Sequence, residues 1–243
     1  MHKFLSFFLT GIFYLTFLFF FVLFHAIQWL SYNFIGIKAQ KKTIDLLNFF
    51  LVASYQILFI KISFKFLGKI PKNKIKIFVS NHQSFFEIPP LIWFLRKFEP
   101  RFISKKELGK GIPSVSYYLR KGGSVLIDRK KSNKALDEIK EFCDRVKKNN
   151  WSIVIFPEGT RSKNGVPRKF QKKGLELLLK EIPEALIVPI TINNSFKINH
   201  WNGFPIPLCI KLSFKVHHVI PNNIKDVSST ISLIESKIKE HIL

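Results

Sequence analysis

Short β-branched runs alternate with longer amphipathic ones from Gly68 onward, and that alternation predicts an α/β domain around a largely parallel sheet flanked by helices. Two long apolar stretches precede it: Phe4 to Leu30, and "IDLLNFFLVASYQILFI" from Ile44 to Ile60. The expected organisation is a membrane-embedded two-helix anchor over residues 1–62 and one α/β domain over residues 63–243, without internal repeats or a low-complexity linker.

The first apolar stretch carries no charge unless His25 is protonated, and at about 1.5 Å per residue it is long enough to cross a bilayer. It is too long for the apolar region of a signal peptide, and no small-x-small cleavage site closes it. A retained anchor is therefore expected. The second stretch holds Asp45, Asn48 and Gln56 and is joined to the first by the basic "IGIKAQKK". Two full crossings would place Lys38, Lys41 and Lys42 opposite the basic remainder, against the positive-inside tendency. A hairpin dipping into one leaflet, or one crossing helix followed by an interfacial one, removes the conflict. Either arrangement leaves the domain on the cytosolic face.

Within the domain, residues 75–80, 101–104, 123–128, 151–156, 185–192 and 210–216 read as strands. Residues 88–97, 132–149, 168–181 and 228–241 read as helices. In "SNKALDEIKEFCDRVKKNN", Leu136, Ile139, Phe142, Cys143 and Val146 recur at helical spacing behind a Ser or Asn cap.

The formal charge is +23 over 243 residues, with Lys and Arg spread along the chain after residue 60. Such a surface seeks anions: phospholipid headgroups, phosphorylated ligands or nucleic acid. Joint enrichment in Lys, Ile, Phe and Asn offers a purely compositional alternative. Cys143 and Cys209 lie far apart in sequence, which argues against a disulfide framework and fits a reducing compartment. No His, Cys and Asp cluster has metal-ligand spacing.

In "VSNHQSFFEIPP", His82 and Glu87 stand five residues apart. One reading is an S-x-x-E capping box from Ser84 to Glu87. Pro89 argues against that register, because it would fall at the fifth helical position, where its missing N–H breaks the ladder. A helix starting near Glu87 or Ile88 puts the prolines in its first turn, and the preceding loop can then fold His82 against Glu87. A neutral imidazole with a carboxylate on one nitrogen is an oriented general base at the other. No Ser or Cys is placed by sequence as an enzyme nucleophile, so the hydroxyl to be deprotonated belongs to the substrate.

"FPEGTRS", Phe156 to Ser162, directly follows the strand "WSIVI". A Pro and Gly turn there, carrying Glu158 and Arg161, suits an anion pocket at the carboxyl end of a sheet, with Arg161 able to grip phosphate in a bidentate fork. The plain alternative is a surface Glu–Arg pair. "RKFQKKG", residues 168–174, reads equally as a basic rim for headgroups or coenzyme phosphates and as a solvated helix start.

Taken together, "NHQSFFE", "GGSVLIDR", "FPEGTRS" and "LIVPI" resemble, in order and spacing, the four blocks of the glycerolipid acyltransferases, and in particular the 1-acyl-glycerol-3-phosphate (lysophosphatidic acid) acyltransferases. The resemblance covers about Lys72 to Val216. It implies a glycerolipid acyltransferase-like domain that moves a fatty acyl group from acyl-CoA or acyl carrier protein to the free hydroxyl of a lysophospholipid at the bilayer, with no further cofactor. By position it makes His82 the base and Glu87 its partner. It assigns acceptor binding to Lys105, Gly123, Arg129, Glu158, Gly159, Thr160 and Arg161, and lining of the acyl side to Val188 and Pro189. Glu87 departs from the Asp usual in the first block, which points to a variant geometry or another acceptor. Three alternatives stand beside this: the same chemistry on another lysolipid, a thioesterase-like hydrolase, and a non-enzymatic basic protein binding anionic lipid or RNA. The last gives no reason for the ordered motifs, and no specific nucleic-acid partner is expected.

Overall fold

The computed structural model describes residues 2–243. Eight strands form one sheet: β1 (Lys61–Phe66), β2 (Lys76–Ser80), β3 (Pro100–Lys105), β4 (Val125–Ile127), β5 (Ser152–Ile155), β6 (Leu186–Asn193), β7 (Lys211–Val216) and β8 (Ile220–Pro221). Their order is β1-β7-β6-β2-β5-β3-β4, with β8 beside β6. The β1–β7, β6–β2, β2–β5, β5–β3 and β3–β4 pairs are parallel. The β6–β7 and β6–β8 pairs are antiparallel. The predicted α/β fold with a largely parallel sheet is what the chain adopts.

Helices cover both faces: α1 (His2–Leu30), α2 (Ile37–Ser54), α3 (Ile88–Leu95), α4 (Val115–Lys121), α5 (Ser132–Asn149), α6 (Lys172–Glu181) and α7 (Val227–Lys239). The central strands are buried on both sides, and their period of two sorts the core. Phe78, Val154 and Val188 point into a cluster built with α1 to α4. Ile77, Val79, Ile153, Ile155 and Ile187 point into a second cluster with α5 to α7.

The N-terminal helices depart from the expected separate anchor. On α1, Ser6, Thr10, Phe13, Phe17, Phe24 and Gln28 are buried, and so is Ser31 in the turn that follows, a stripe at steps of three, four and seven residues that faces the protein along nearly the whole helix. On other faces of α1, Phe4, Phe8, Leu15, Leu18, Phe19 and Val22 are exposed. The second helix starts at Ile37 rather than near Ile44 and so includes Lys38, Lys41 and Lys42. Lys41 pairs with Asp45 one turn later, Nζ to Oδ1 2.6 Å. Ile44, Leu47 and Leu51 join Phe13 and Phe17 in the same core as Phe78 and Leu91. The expected boundary between residues 62 and 63 falls inside β1, which continues directly from the turn after α2. Among the described residues, one helical stretch, Lys3–Ile35, is long and apolar enough to cross a membrane.

Two smaller departures follow from backbone hydrogen bonding. The helix expected from residue 168 begins at Lys172, because the Gln171 N–H is committed to the Pro157 carbonyl at 2.7 Å. The helix α4, short and bounded by Gly111 and Gly122, was not expected at all.

Candidate active site

His82 stands just beyond the carboxyl end of β2, where a series of hydrogen bonds fixes the chain. Asn81 clamps β6: its Nδ2 donates to the Ile192 carbonyl at 2.8 Å and its Oδ1 accepts the Ile192 N–H at 2.7 Å. The His82 N–H donates to Glu158 Oε1 at 2.8 Å, and the His82 carbonyl accepts the Ser162 N–H at 2.7 Å. The two loops after β2 and β5 are thereby bound to each other on both sides of the histidine. The imidazole also stacks on Phe156, ring centroids 4.3 Å apart and planes 23° from parallel.

Glu87 is fully buried and hydrogen-bonded to His82 Nδ1 through its Oε1. Its Oε2 accepts the Ser84 N–H at 3.0 Å and the Gln83 N–H at 3.2 Å. The capping box and the histidine contact therefore coexist. Ser84 caps a single tight turn, Phe85–Glu87, and accepts the Phe86 N–H at 3.3 Å, while α3 begins afresh at Ile88 with its prolines in the first turn. The proline argument located the helix, but the capping box it set aside is present. Backbone N–H groups thus satisfy the carboxylate on one side, and among the described residues the imidazole is its one side-chain partner.

The His82 side chain opens on a cavity of about 220 Å³. Lys105 at the end of β3, Arg129 just after β4, and Gly159, Thr160 and Arg161 in the turn after β5 share its lining. In the order β2-β5-β3-β4, four adjacent strands thus present their carboxyl ends to one hollow, the usual ligand position in open α/β sheets. Among the described residues, Lys105, Arg129 and Arg161 make no ion pair with a carboxylate. Three cations without an ion-paired carboxylate around one mouth suit it to an anion. Away from them the walls turn apolar: Phe21 of α1, Leu47 and Leu51 of α2, Ile92, Phe102 and Tyr118. The hollow is amphipathic, with a positive mouth and a greasy interior.

A family model described as "Acyltransferase" matches residues 61–193. The chain belongs to the acyltransferase family. A 1-acyl-sn-glycerol-3-phosphate acyltransferase of Helicobacter pylori is 35% identical over 134 residues, 54% of this chain and 53% of that protein. One from Haemophilus influenzae is 24% identical over 168 residues, 68% of each chain. A chloroplastic relative from Arabidopsis thaliana is matched over 38% of its length, so the chain spans about half or less of the length of several curated relatives. The crystal structure of the 1-acyl-sn-glycerophosphate (LPA) acyltransferase PlsC from Thermotoga maritima superposes with a TM-score of 0.77, covering 99% of this chain and 95% of that one at 27% identity.

Seven of the eleven residues singled out in the sequence of this family member meet at the site: His82, Glu87, Lys105, Arg129, Gly159, Thr160 and Arg161. The other four lie outside the cavity. Gly123 precedes β4, at the opposite end of the strand from Arg129. It has φ +89°, and a Cβ there would meet the Trp151 ring at 2.6 Å, so glycine is required by packing. Glu158 is buried, and both its oxygens are occupied by backbone: Oε1 by His82 N–H and Oε2 by Arg168 N–H at 2.7 Å. Burial pushes its carboxyl above the usual range, opposed by those two N–H groups. It braces the two loops. Pro189 is buried in mid-β6 opposite Val79, its carbonyl taken by His217 N–H at 2.9 Å, and Val188 beside it packs into the core of the α1 to α4 face. The left-handed φ of +70° at Gly159 explains the glycine of the FPEGTR turn.

Sequence reasoning missed the contributions of Phe21, Leu47, Leu51 and Tyr118 to the cavity. Three of these belong to helices read as an anchor, and the fourth to a helix not foreseen. It also missed Gln83, whose Oε1 accepts the Ser195 N–H at 2.9 Å and ties the motif to the segment after β6. Among the described residues, no group of three His, Cys, Asp or Glu side chains converges to hold a metal ion.

Proposed function

We propose that the chain is a membrane-associated acyltransferase that moves a fatty acyl group from an acyl thioester, acyl-CoA or acyl carrier protein, to the free hydroxyl of 1-acyl-sn-glycerol-3-phosphate, giving phosphatidic acid. The observation that carries this reading is the shared cavity: a carboxylate-backed imidazole and three unpaired cations line one hollow with apolar walls. The names of the relatives point the same way.

In this mechanism Glu87 holds the Nδ1 proton and fixes the tautomer, leaving Nε2 of His82 to face the cavity. Nε2 takes the acceptor hydroxyl proton as that oxygen attacks the thioester carbonyl carbon. The C–O bond forms, the C–S bond breaks, and the imidazolium returns its proton to the departing thiolate. Glu87 stabilises the imidazolium in between. Lys105, Arg129 and Arg161 hold the acceptor phosphate, so that the hydroxyl is oriented before it reacts. The apolar walls receive acyl chain.

Membrane residence follows from α1. A helix fastened to the domain from Ser6 to Ser31 cannot leave it to cross a bilayer, so its exposed Phe and Leu side chains lie along the membrane plane in one leaflet. The +23 charge holds the domain against the anionic cytosolic leaflet.

The test is acyl transfer by the purified chain, read by mass spectrometry, with both donor types and a panel of lysolipid acceptors. Product from 1-acyl-glycerol-3-phosphate that disappears in His82→Ala is expected. Unchanged turnover in that variant would remove the base, and a preference for a lysolipid without a terminal phosphate would remove the acceptor.

A further inference from the structure

The segment "NHWNGFPIPL", Asn199–Leu208, has no part in the proposed chemistry, yet it is tied down with unusual thoroughness. Ser6 Oγ of α1 donates to the Ile206 carbonyl at 2.6 Å, Thr10 Oγ1 accepts the Ile206 N–H at 2.9 Å, and the Tyr14 hydroxyl donates to the Gly203 carbonyl at 2.7 Å. Three polar side chains at four-residue spacing in the first half of α1 thus all bind this loop. On the other side Asn199 Nδ2 donates to Ser84 Oγ at 2.8 Å, inside the His82 motif.

What the loop presents is aromatic. Ile198 and Ile206 are fully buried, whereas Trp201 is 53% and Phe204 48% exposed. Phe204 meets Phe7 of α1 edge-on at 5.3 Å between ring centres, so the two rings join the loop to the exposed face of α1. Trp201 holds a left-handed φ of +53° and Asn202 one of +57°, conformations that glycine adopts without strain. A large ring kept in a strained backbone and left in solvent is not there for the core. There is no Asp or Glu from Ala185 to Lys225, nor from Met1 to Ile44; the charges beside the loop are basic, Lys197 just before it and Lys3 on α1.

We infer that this loop is a second membrane contact, an aromatic foot that seats Trp201 and Phe204 at the headgroup level of an anionic bilayer and sets the mouth of the cavity against it. Tryptophan beside apolar surface and flanking lysines fits that interface, where one end of the ring is greasy and the other wet. Lipid is favoured over a second protein copy because the patch continues an apolar helix face and carries no acid. The inference rests on the membrane placement of α1 proposed above.

Binding of the full chain to vesicles of phosphatidylcholine and phosphatidylglycerol tests it, with circular dichroism confirming the fold. The double variant Trp201→Ala/Phe204→Ala is expected to partition about tenfold more weakly or worse, because about half the area of two large rings no longer enters the interface. Trp201→Phe, which keeps the ring, stays within about twofold of the parent by the same area argument. Hydrogen exchange on the unaltered chain needs no variant: amides of residues 199–208 should slow several-fold when vesicles are added. A parent that binds and a double variant that binds equally well overturn the foot while leaving α1 in the membrane. A parent that does not bind at all overturns both. Unchanged exchange, or a variant that loses a dimer by light scattering rather than its vesicle affinity, also overturns the foot.

Discussion

The sheet face covered by α1 to α4 is packed with rings, among them Phe13, Phe17, Phe24, Tyr55, Phe78, Phe86, Phe98 and Tyr118. The face covered by α5 to α7 is packed mostly with branched aliphatics, with Phe142 and Phe170 as its buried aromatic members and Trp151 at its edge. The cavity takes most of its apolar wall from the first face. Each face also has its own histidine. His82 is partly open and backed by a carboxylate. His217 is buried against the Thr191 hydroxyl, Nε2 to Oγ1 2.8 Å, with the His241 ring 4.7 Å away. The same side chain thus meets one environment where a carboxylate holds one ring nitrogen and a cavity lies beside the ring, and one where burial keeps it neutral. On the proposed function, one face holds ligand and chemistry while the other holds the sheet together, and the two should respond differently to substitution.

The sharpest break in that comparison is His82→Ala, which should cut acyl transfer by about a thousandfold or more, at the upper part of the range for a general base, with the thermal midpoint nearly unchanged. Retained activity would move the chemistry elsewhere. On the other face, Phe142→Ala should destabilise the chain by about 3–5 kcal/mol, because a fully buried ring leaves a void. The activity per folded molecule should stay constant, as read by urea unfolding beside the acyl-transfer assay. Loss of turnover without loss of stability would contradict the division between faces.

Next in size is Arg161→Ala. Removing one charge-assisted phosphate contact should raise KM for a phosphate-bearing acceptor about tenfold to a hundredfold, with little change in kcat. An effect confined to kcat would assign Arg161 to the reacting centre.

His217 gives the smallest effect. Burial foremost, then His241, Lys215 and Lys237 against an opposing Glu240, pushes its imidazole down to about 4. In the unfolded chain the ring protonates near its ordinary value of about 6.5. The folded pKa is the depressed one, so stability is intact above about pH 6.5 and is lost as the pH falls towards 4. His217→Asn keeps a hydrogen-bonding group for Thr191 and should lose about 1–2 kcal/mol less than the parent between pH 7 and 4.5. An identical pH dependence would show that the histidine is not the titrating group.

The second face was the legible one. The helix α5 runs Ser132–Asn149 as its apolar spacing indicates, since a surface helix with one buried stripe writes its period into the sequence. The core strands fell within a residue or two of their expected ends for the same reason. The first face was harder to read. An apolar helix looks alike whether protein or lipid covers it, so α1 and α2 read as an anchor apart from the domain, although they close its core and line the cavity. β1 was not read as a strand, its first two residues falling in the segment taken as anchor, and α4 is too short to show a period. At the site, residue types and motif order brought seven of eleven residues together. Gly123, Glu158, Val188 and Pro189 lie outside the cavity because spacing cannot tell a residue that touches ligand from one that shapes the fold around it.

The account stands on the cations at the cavity mouth being there for a phosphate within reach of His82. The most direct measurement compares kcat/KM for 1-acyl-glycerol-3-phosphate with that for the same 1-acyl-glycerol lacking the phosphate, in the parent and in Arg161→Ala. The account predicts a preference of about a hundredfold or more for the phosphate-bearing acceptor in the parent, from two or more charge-assisted contacts, and its marked reduction in the variant. Equal use of both acceptors by the parent would contradict it.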